Sequence, residues 1–176
     1  RFNSSAYTLE PADHRFLSSG KWGKAHAILP KNIAQAFVAV AEKLDVFPWL
    51  DYHYAYSLGN YSKIDKAAGF EWTNLAMAAK FSGMDDERGF IMLHVDINQY
   101  SPDLVKAVFG IAQESLAKDA LTNALTLMAA SLNKMKARRK LMWAASRWKQ
   151  YNDFRVFIMG IKGNDDILPN GMLHEG

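Results

Sequence analysis

The sequence has no cysteine. A disulfide scaffold, a thiol nucleophile and a thiolate metal site are therefore excluded. Such a chain suits a reducing compartment, and the expectation is an intracellular, cytoplasmic protein, with an organelle left open. No stretch approaches the ~20 uninterrupted apolar residues of a spanning helix, so no membrane span is expected. The start, "RFNSSAYTLEPADHRF", has no apolar signal-peptide core. It opens on arginine rather than methionine, so the chain is read as processed or as a fragment of something longer. Charge of one sign is also lacking: the formal net charge is only +3, and no strong pull towards nucleic acid or an acidic membrane follows. A phosphate-loop pattern, a dinucleotide fingerprint, a His-Glu-x-x-His motif and a nucleophile elbow are all missing. There is no internal repeat.

What the chain has is apolar and aromatic content, 49% and 12% of 176 residues, enough for one folded domain with a proper core. Residues 1 to 28 show no sustained periodicity and are expected to be irregular. From 29 to 176 helices are expected to dominate, giving an all-α fold. Pro30 suits a first helical turn, and Ile33, Phe37, Val40, Ala41 and Leu44 then fall on one face. In "FPWLDYHYAYSLGNY", Pro48 opens a helix that Gly59 and Asn60 close, with Trp49, His53, Tyr56 and Ser57 on or near one face. The stretch "FEWTNLAMAAKFSG" is ambiguous. Acidic residues 85–87 suit the positive start of a helix running through "RGFIMLHVDINQY". Ser101 before Pro102 reads as an N-cap, and Asp119 as the cap of a long helix reaching Trp148. On that helix Leu121, Leu125, Leu127 and Met128 are expected to face inward. A final short helix is expected in "NDFRVFIMGIKGN", before a turn-rich tail.

Three features could carry chemistry. Phe90, His94 and Ile97 fall at i, i+4 and i+7, so His94 is either a core histidine held by one hydrogen bond or an imidazole facing a ligand. Arg155 shares helical spacing with Tyr151, Ile158 and Met159. It is a snorkelling surface residue, one partner of a structural ion pair, or a clamp for a ligand with a carboxylate and an apolar body, and the shared spacing weakens the first of these. The basic residues 134–140, interleaved further on with Trp143 and Trp148, are either a nucleic-acid stripe or the solvated face of a helix; the modest net charge favours the latter.

Taken in order, "LPKNIA" (29–34), "EKLDVFPWLDYHYAYSLGNY", "RGFIMLHVDI", "FRVFIMGIKGN" and the closing "LPNGMLHEG" resemble the indoleamine 2,3-dioxygenase family, haem enzymes that insert dioxygen into the indole ring of tryptophan. The similarity runs from residue 21 to 176 and corresponds to about half of a family member: the end of its small domain and the first part of its large helical domain. It implies that His53, Tyr56 and Ser57 form the wall contacting the indole. Phe90 packs on the substrate ring, and Ile91 stands where a second aromatic is frequent. His94 orients the indole N–H, as in the related tryptophan 2,3-dioxygenases. Arg155 pairs with the substrate carboxylate, Ile158 lines the pocket, and Gly160 allows close approach. Gln150 and Tyr151 depart from the family, standing where two phenylalanines are usual. The resemblance implies haem as cofactor and an indole and O2 as small-molecule partners. The family's proximal haem histidine lies beyond "HEG", and His14, His26 and His174 match no ligand position. The other reading is thus a non-catalytic relative: an accessory subunit with protein partners, or an oxygen-binding protein.

Overall fold

The computed structural model describes residues 2–48, 50–112, 117–151, 153–158, 167–170 and 173–174. It is mainly helical, as expected. The first departure comes at once: residues 2–19 form α1 (Phe2–Ser19), with Pro11 inside it, where irregular chain was expected. The helix is held by tertiary packing rather than by a regular apolar stripe. Phe2 joins the core around Tyr56, Ala12 packs with Ile167 and Leu168, and Tyr7 lies against Leu29, Ala34 and Phe37.

β1 (Ile28–Leu29) pairs in parallel with β4 (Leu173–His174), and α2 (Lys31–Lys43) follows with Pro30 at its N-cap. The expected helix in "YHYAYSL" is present but as a π-helix, Tyr52–Leu58. The Asp51 side chain accepts from the Tyr54 N–H at 2.6 Å to start it, and the Gly59 N–H donates to the Tyr54 carbonyl at 2.6 Å to end it. A Cβ on Gly59 would sit 2.6 Å from that same carbonyl oxygen, so the closing turn requires glycine. Trp49, expected on this helix's face, lies outside the described residues.

The ambiguous stretch is a 3-10 turn (Trp72–Asn74) leading into β3 (Leu75–Met77), which pairs antiparallel with β2 (Tyr61–Lys63). α3 (Asp85–Asn98) begins on its three acidic residues, as expected. α4 (Ser101–Ile111) has Tyr100 at its N-cap, so Ser101 is already the first helical residue; its hydroxyl donates instead to Asn98 Oδ1 at 3.0 Å. α5 (Lys118–Arg139) is capped by Ala117 and stops well short of Trp148. The chain continues as α6 (Met142–Ala145), α7 (Trp148–Tyr151) and α8 (Arg155–Ile158). Leu121 and Leu125 are exposed on α5, against the inward orientation expected of them.

α3 is the central element, in contact with the π-helix, the 3-10 turn, β3, α5, α6 and α7. One of its faces carries the core residues Ile91, Met92 and Val95, packed with Tyr56 and Leu75. Gly89 permits the closest approach: a Cβ there would lie 1.6 Å from the Ala145 carbonyl oxygen, so α3 and α6 could not otherwise meet.

Three carboxylates of α3 are buried and each is saturated. Glu87 accepts from Tyr56 Oη at 2.7 Å, Ser82 Oγ at 2.6 Å, and the N–H groups of Phe81, Ser82 and Gly83 at 2.8, 2.7 and 3.1 Å. Asp86 accepts from the Arg147 backbone at 2.7 Å and its guanidinium at 3.0 and 2.6 Å; that pairing, chiefly the side-chain bonds, holds its carboxyl below the usual range. Asp96 accepts a two-pronged Arg138 at 2.8 and 2.5 Å, the Trp72 N–H at 2.9 Å and Gln99 Nε2 at 2.9 Å. Arg138 is thus a structural partner, not part of a solvated basic face.

Candidate functional site

On α3, Ile91 and Phe90 point differently. Ile91 is fully buried in the core cluster, whereas Phe90 is half-buried at its edge. One turn along from Phe90, His94 packs on it with ring centroids 4.6 Å apart. Phe90 also touches Tyr151 at 5.0 Å and Phe154 at 6.1 Å. The Arg155 guanidinium lies over the Tyr151 ring at 5.9 Å, a cation–π distance. The single helical face expected for Tyr151 and Arg155 is broken, since residues 153–154 separate α7 from α8. The two side chains still meet. Arg155 is exposed and has no ion pair among the described residues, so the structural-pair reading has no support.

On the other side of His94 stands the π-helix. Tyr52 meets His94 edge-on at 5.7 Å and 88°, and also contacts His53 at 5.5 Å and Tyr56 at 5.9 Å. Arg155, Tyr151, Phe90, His94 and Tyr52 form one continuous strip, and His53, Tyr56 and Ser57 flank its Tyr52 end. Tyr52 is the member sequence reasoning missed. A half-buried imidazole needs a second polar neighbour, and Tyr52, four residues before Tyr56, was available on the adjacent segment. Glu87 was read only as part of an acidic helix start, and it turns out to engage the Tyr56 hydroxyl.

The electrostatics divide the strip. Burial, followed by the Glu87 charge, pushes the Tyr56 phenol well up, and its hydroxyl is committed to Glu87. Burial also raises Tyr52. His94 is shifted down, first by burial and also by nearby His53, with the Phe90 carbonyl opposing. The imidazole is therefore neutral near pH 7. Ser57 Oγ and Gln150 Oε1 are buried without a well-formed hydrogen bond, as are Asp13 Oδ1 and Ser146 Oγ. The Ile158 side chain, Gly160 and the His174 side chain lie outside the described residues.

Two clefts lie elsewhere. One of about 770 Å³ runs between α2 and the π-helix, walled by Phe37, Val40, Leu44 and Tyr54; another of about 550 Å³ lies beside α1, with Glu10, Asp13, His14 and Asp153. The residues of the Arg155–His94 strip line neither of these clefts.

The whole chain from residue 11 to 176 matches the family model for indoleamine 2,3-dioxygenase; the chain belongs to that family. Among its relatives, rat indoleamine 2,3-dioxygenase 1 is 30% identical over 161 residues, covering 85% of this chain and 37% of the relative. Mouse indoleamine 2,3-dioxygenase 2 is 29% identical over 163 residues, 88% of this chain and 38% of the relative. Human indoleamine 2,3-dioxygenase 2 is 28% identical over 169 residues, 92% of this chain and 41% of the relative. The chain thus spans about two fifths of the length of the relatives it matches.

Haem is the family's cofactor, and the described residues do not by themselves fit it. The larger cleft is lined by no histidine, and in the smaller one His14 is exposed beside Glu10 at 3.8 Å. His26 is stacked on Tyr7 at 4.8 Å. No group of three or more His, Cys, Asp or Glu residues suited to a metal ion occurs among the described residues. What this chain presents is a run of aromatic rings between the Arg155 guanidinium and the His94 imidazole. No helix among the described residues is long and apolar enough to cross a membrane.

Proposed function

We propose that this chain carries the substrate-recognition wall of a haem-dependent dioxygenase that inserts O2 into the indole ring of tryptophan or a related indole. The observation that carries this reading is the continuous strip from Arg155 through Tyr151 and Phe90 to His94. A charged fork stands at one end and a neutral imidazole at the other, with aromatic rings between. That order matches an indole-bearing amino acid: carboxylate on Arg155, ring on Phe90, indole N–H on His94. Arg155 is exposed and unpaired among the described residues, so it can form a two-pronged bond without breaking another. His94, held neutral by burial, can accept from an N–H. The protein's share of the rate is then positioning, while haem carries the oxygen chemistry when bound. Tyr151 and the unsatisfied Gln150 amide oxygen make this wall more polar than two phenylalanines would, which favours an indole bearing a further hydrogen-bond donor.

Titration with fluorotryptophan, read by 19F NMR, tests the reading. Arg155→Ala should weaken binding by about 10- to 100-fold, the loss of a charge-assisted pair. Fluoroindole, which has no carboxylate, should bind both proteins alike. Equal fluorotryptophan affinity in the two proteins would remove Arg155 from recognition and leave the reading of a non-catalytic relative that reuses the fold.

A further inference from the structure

Among the buried carboxylates of the described residues, Asp13 alone has an oxygen, Oδ1, without a partner, and it makes no ion pair there. Its side chain belongs to a residue only 8% exposed, yet it lines the cleft of about 550 Å³ beside α1. Helical spacing puts it there: Ala6, Glu10, Asp13 and Leu17 recur every three or four residues along α1 and form one wall. The other walls include Lys80, Phe81, Asp153 and Phe157, and the Phe81 and Phe157 rings stack 4.6 Å apart at 9°. Three carboxylates from two parts of the chain thus share one apolar-walled cleft. Lys80, the one lysine on its lining, is exposed and has no ion pair among the described residues. Burial holds the Asp13 carboxyl above its usual range, with His14 opposing and Asp153 and Glu10 adding to the rise.

A buried carboxylate without a donor costs free energy that a cation in contact with it would recover. These acids do not converge on a metal ion: no group of three or more suited to one occurs among the described residues. Acids on separate elements, with phenyl rings between, suit a cation that has a body. An ammonium, with three donors around one nitrogen, can meet carboxylates from different directions; a guanidinium fork matches a single carboxylate in its plane. We propose that this cleft binds a small primary amine on an apolar body, its ammonium on Asp13 and its body along Phe81 and Phe157. Asp153 and Glu10 add attraction at longer range. This site shares no residue with the Arg155–His94 strip and does not rest on the indole reading.

The test is 19F NMR titration of the 176-residue chain with fluorophenethylamine, and with fluorophenylethanol, which has the same body without the charge. The wild-type protein should bind the amine about tenfold or more tighter than the alcohol, the weight of a charge-assisted hydrogen bond. Asp13→Asn should abolish that preference and leave the melting temperature unchanged or raised, since an amide is easier to bury than a carboxylate. Asp153→Asn should weaken the amine by about two- to fivefold, a through-space effect. Arg155→Ala should bind the amine as the wild type does, which keeps this result separate from the tryptophan titration above. No preference for the amine in the wild-type protein would overturn the proposal, and that measurement needs no variant to fold. Wild-type preference in Asp13→Asn would overturn it too. A lowered melting temperature in that variant would make the carboxylate a structural group rather than a receptor. Displacement of the amine by equimolar Ca2+ would replace the organic cation with a metal ion.

Discussion

Two sets of buried polar groups in this molecule are treated in opposite ways. Along α3, Asp86, Glu87 and Asp96 are almost wholly out of solvent, and every one is surrounded by donors. Glu87 alone takes five hydrogen bonds from Tyr56 and residues 81–83. At the candidate site Ser57 Oγ and Gln150 Oε1 are equally hidden and have no well-formed bond, and His94 keeps one ring nitrogen free of any bond in its own network. A carboxylate left ionised and unpaired in the interior would cost several kcal/mol; the three on α3 are paired, whereas Asp13, with Oδ1 unmet, has its pKa raised by burial instead. A hydroxyl or amide oxygen costs less to leave unmet. Two of the unmet oxygens, on Ser57 and Gln150, belong to the segments that carry Tyr52 and Tyr151, while Asp13 Oδ1 on α1 and Ser146 Oγ at the end of α6 are unmet as well.

The comparison breaks most visibly at Glu87. Glu87→Ala removes the acceptor from five donors at once and should destabilise the chain by about 3–5 kcal/mol, read as a fall in the urea midpoint. A loss below ~1 kcal/mol would mean the cluster is ornamental and would end the distinction drawn here. A smaller effect is expected from pH. His94 has a depressed pKa in the folded chain, so below the ordinary value of 6.5 the unfolded chain takes up a proton that the folded chain resists. Stability should therefore fall as pH drops from 6.5. A second decline belongs to Asp86, whose depressed carboxyl contributes stability above 3.8 and loses it as pH falls through its lower folded value. In His94→Gln the upper decline should vanish and the lower one remain; thermal melts from about pH 2 to pH 8 would separate them. The smallest effect is expected at Ser57. Since its Oγ lacks a well-formed bond, Ser57→Ala should change stability by no more than about 0.5 kcal/mol, against the large loss at Glu87. A loss near 2 kcal/mol would place Ser57 with the saturated set.

Much of the helical layout was legible beforehand because it rests on local signals. Pro30, the acid run at 85–87 and the period of α3 mark helices at or near the observed bounds. The failures have physical causes. α1 has little apolar periodicity of its own and depends on Phe2, Tyr7 and Ala12 finding distant partners. The break of the long helix after Arg139 follows the docking of Arg138 on Asp96 and of Arg147 on Asp86, both far away in sequence. Leu121 and Leu125 satisfy a helical spacing that does not say which face meets the core.

The site divides in the same way. Arg155, Phe90, His94 and Tyr151 could be singled out from residue type, spacing and family resemblance, and the structure brings them side by side. Ile91, adjacent in sequence to Phe90, turns into the core, and Tyr56 gives its hydroxyl to Glu87. Tyr52 had no signal of its own, because its role exists only through His94, 42 residues later. The sequence by itself determined the helical class, the family and the side chains available for chemistry, since these depend on composition, period and ordered motifs. Tertiary structure alone decided which polar groups are saturated and which neighbours meet His94 Nδ1. Those outcomes depend on donors and acceptors brought within 3 Å of one another by packing, and no local pattern encodes that distance.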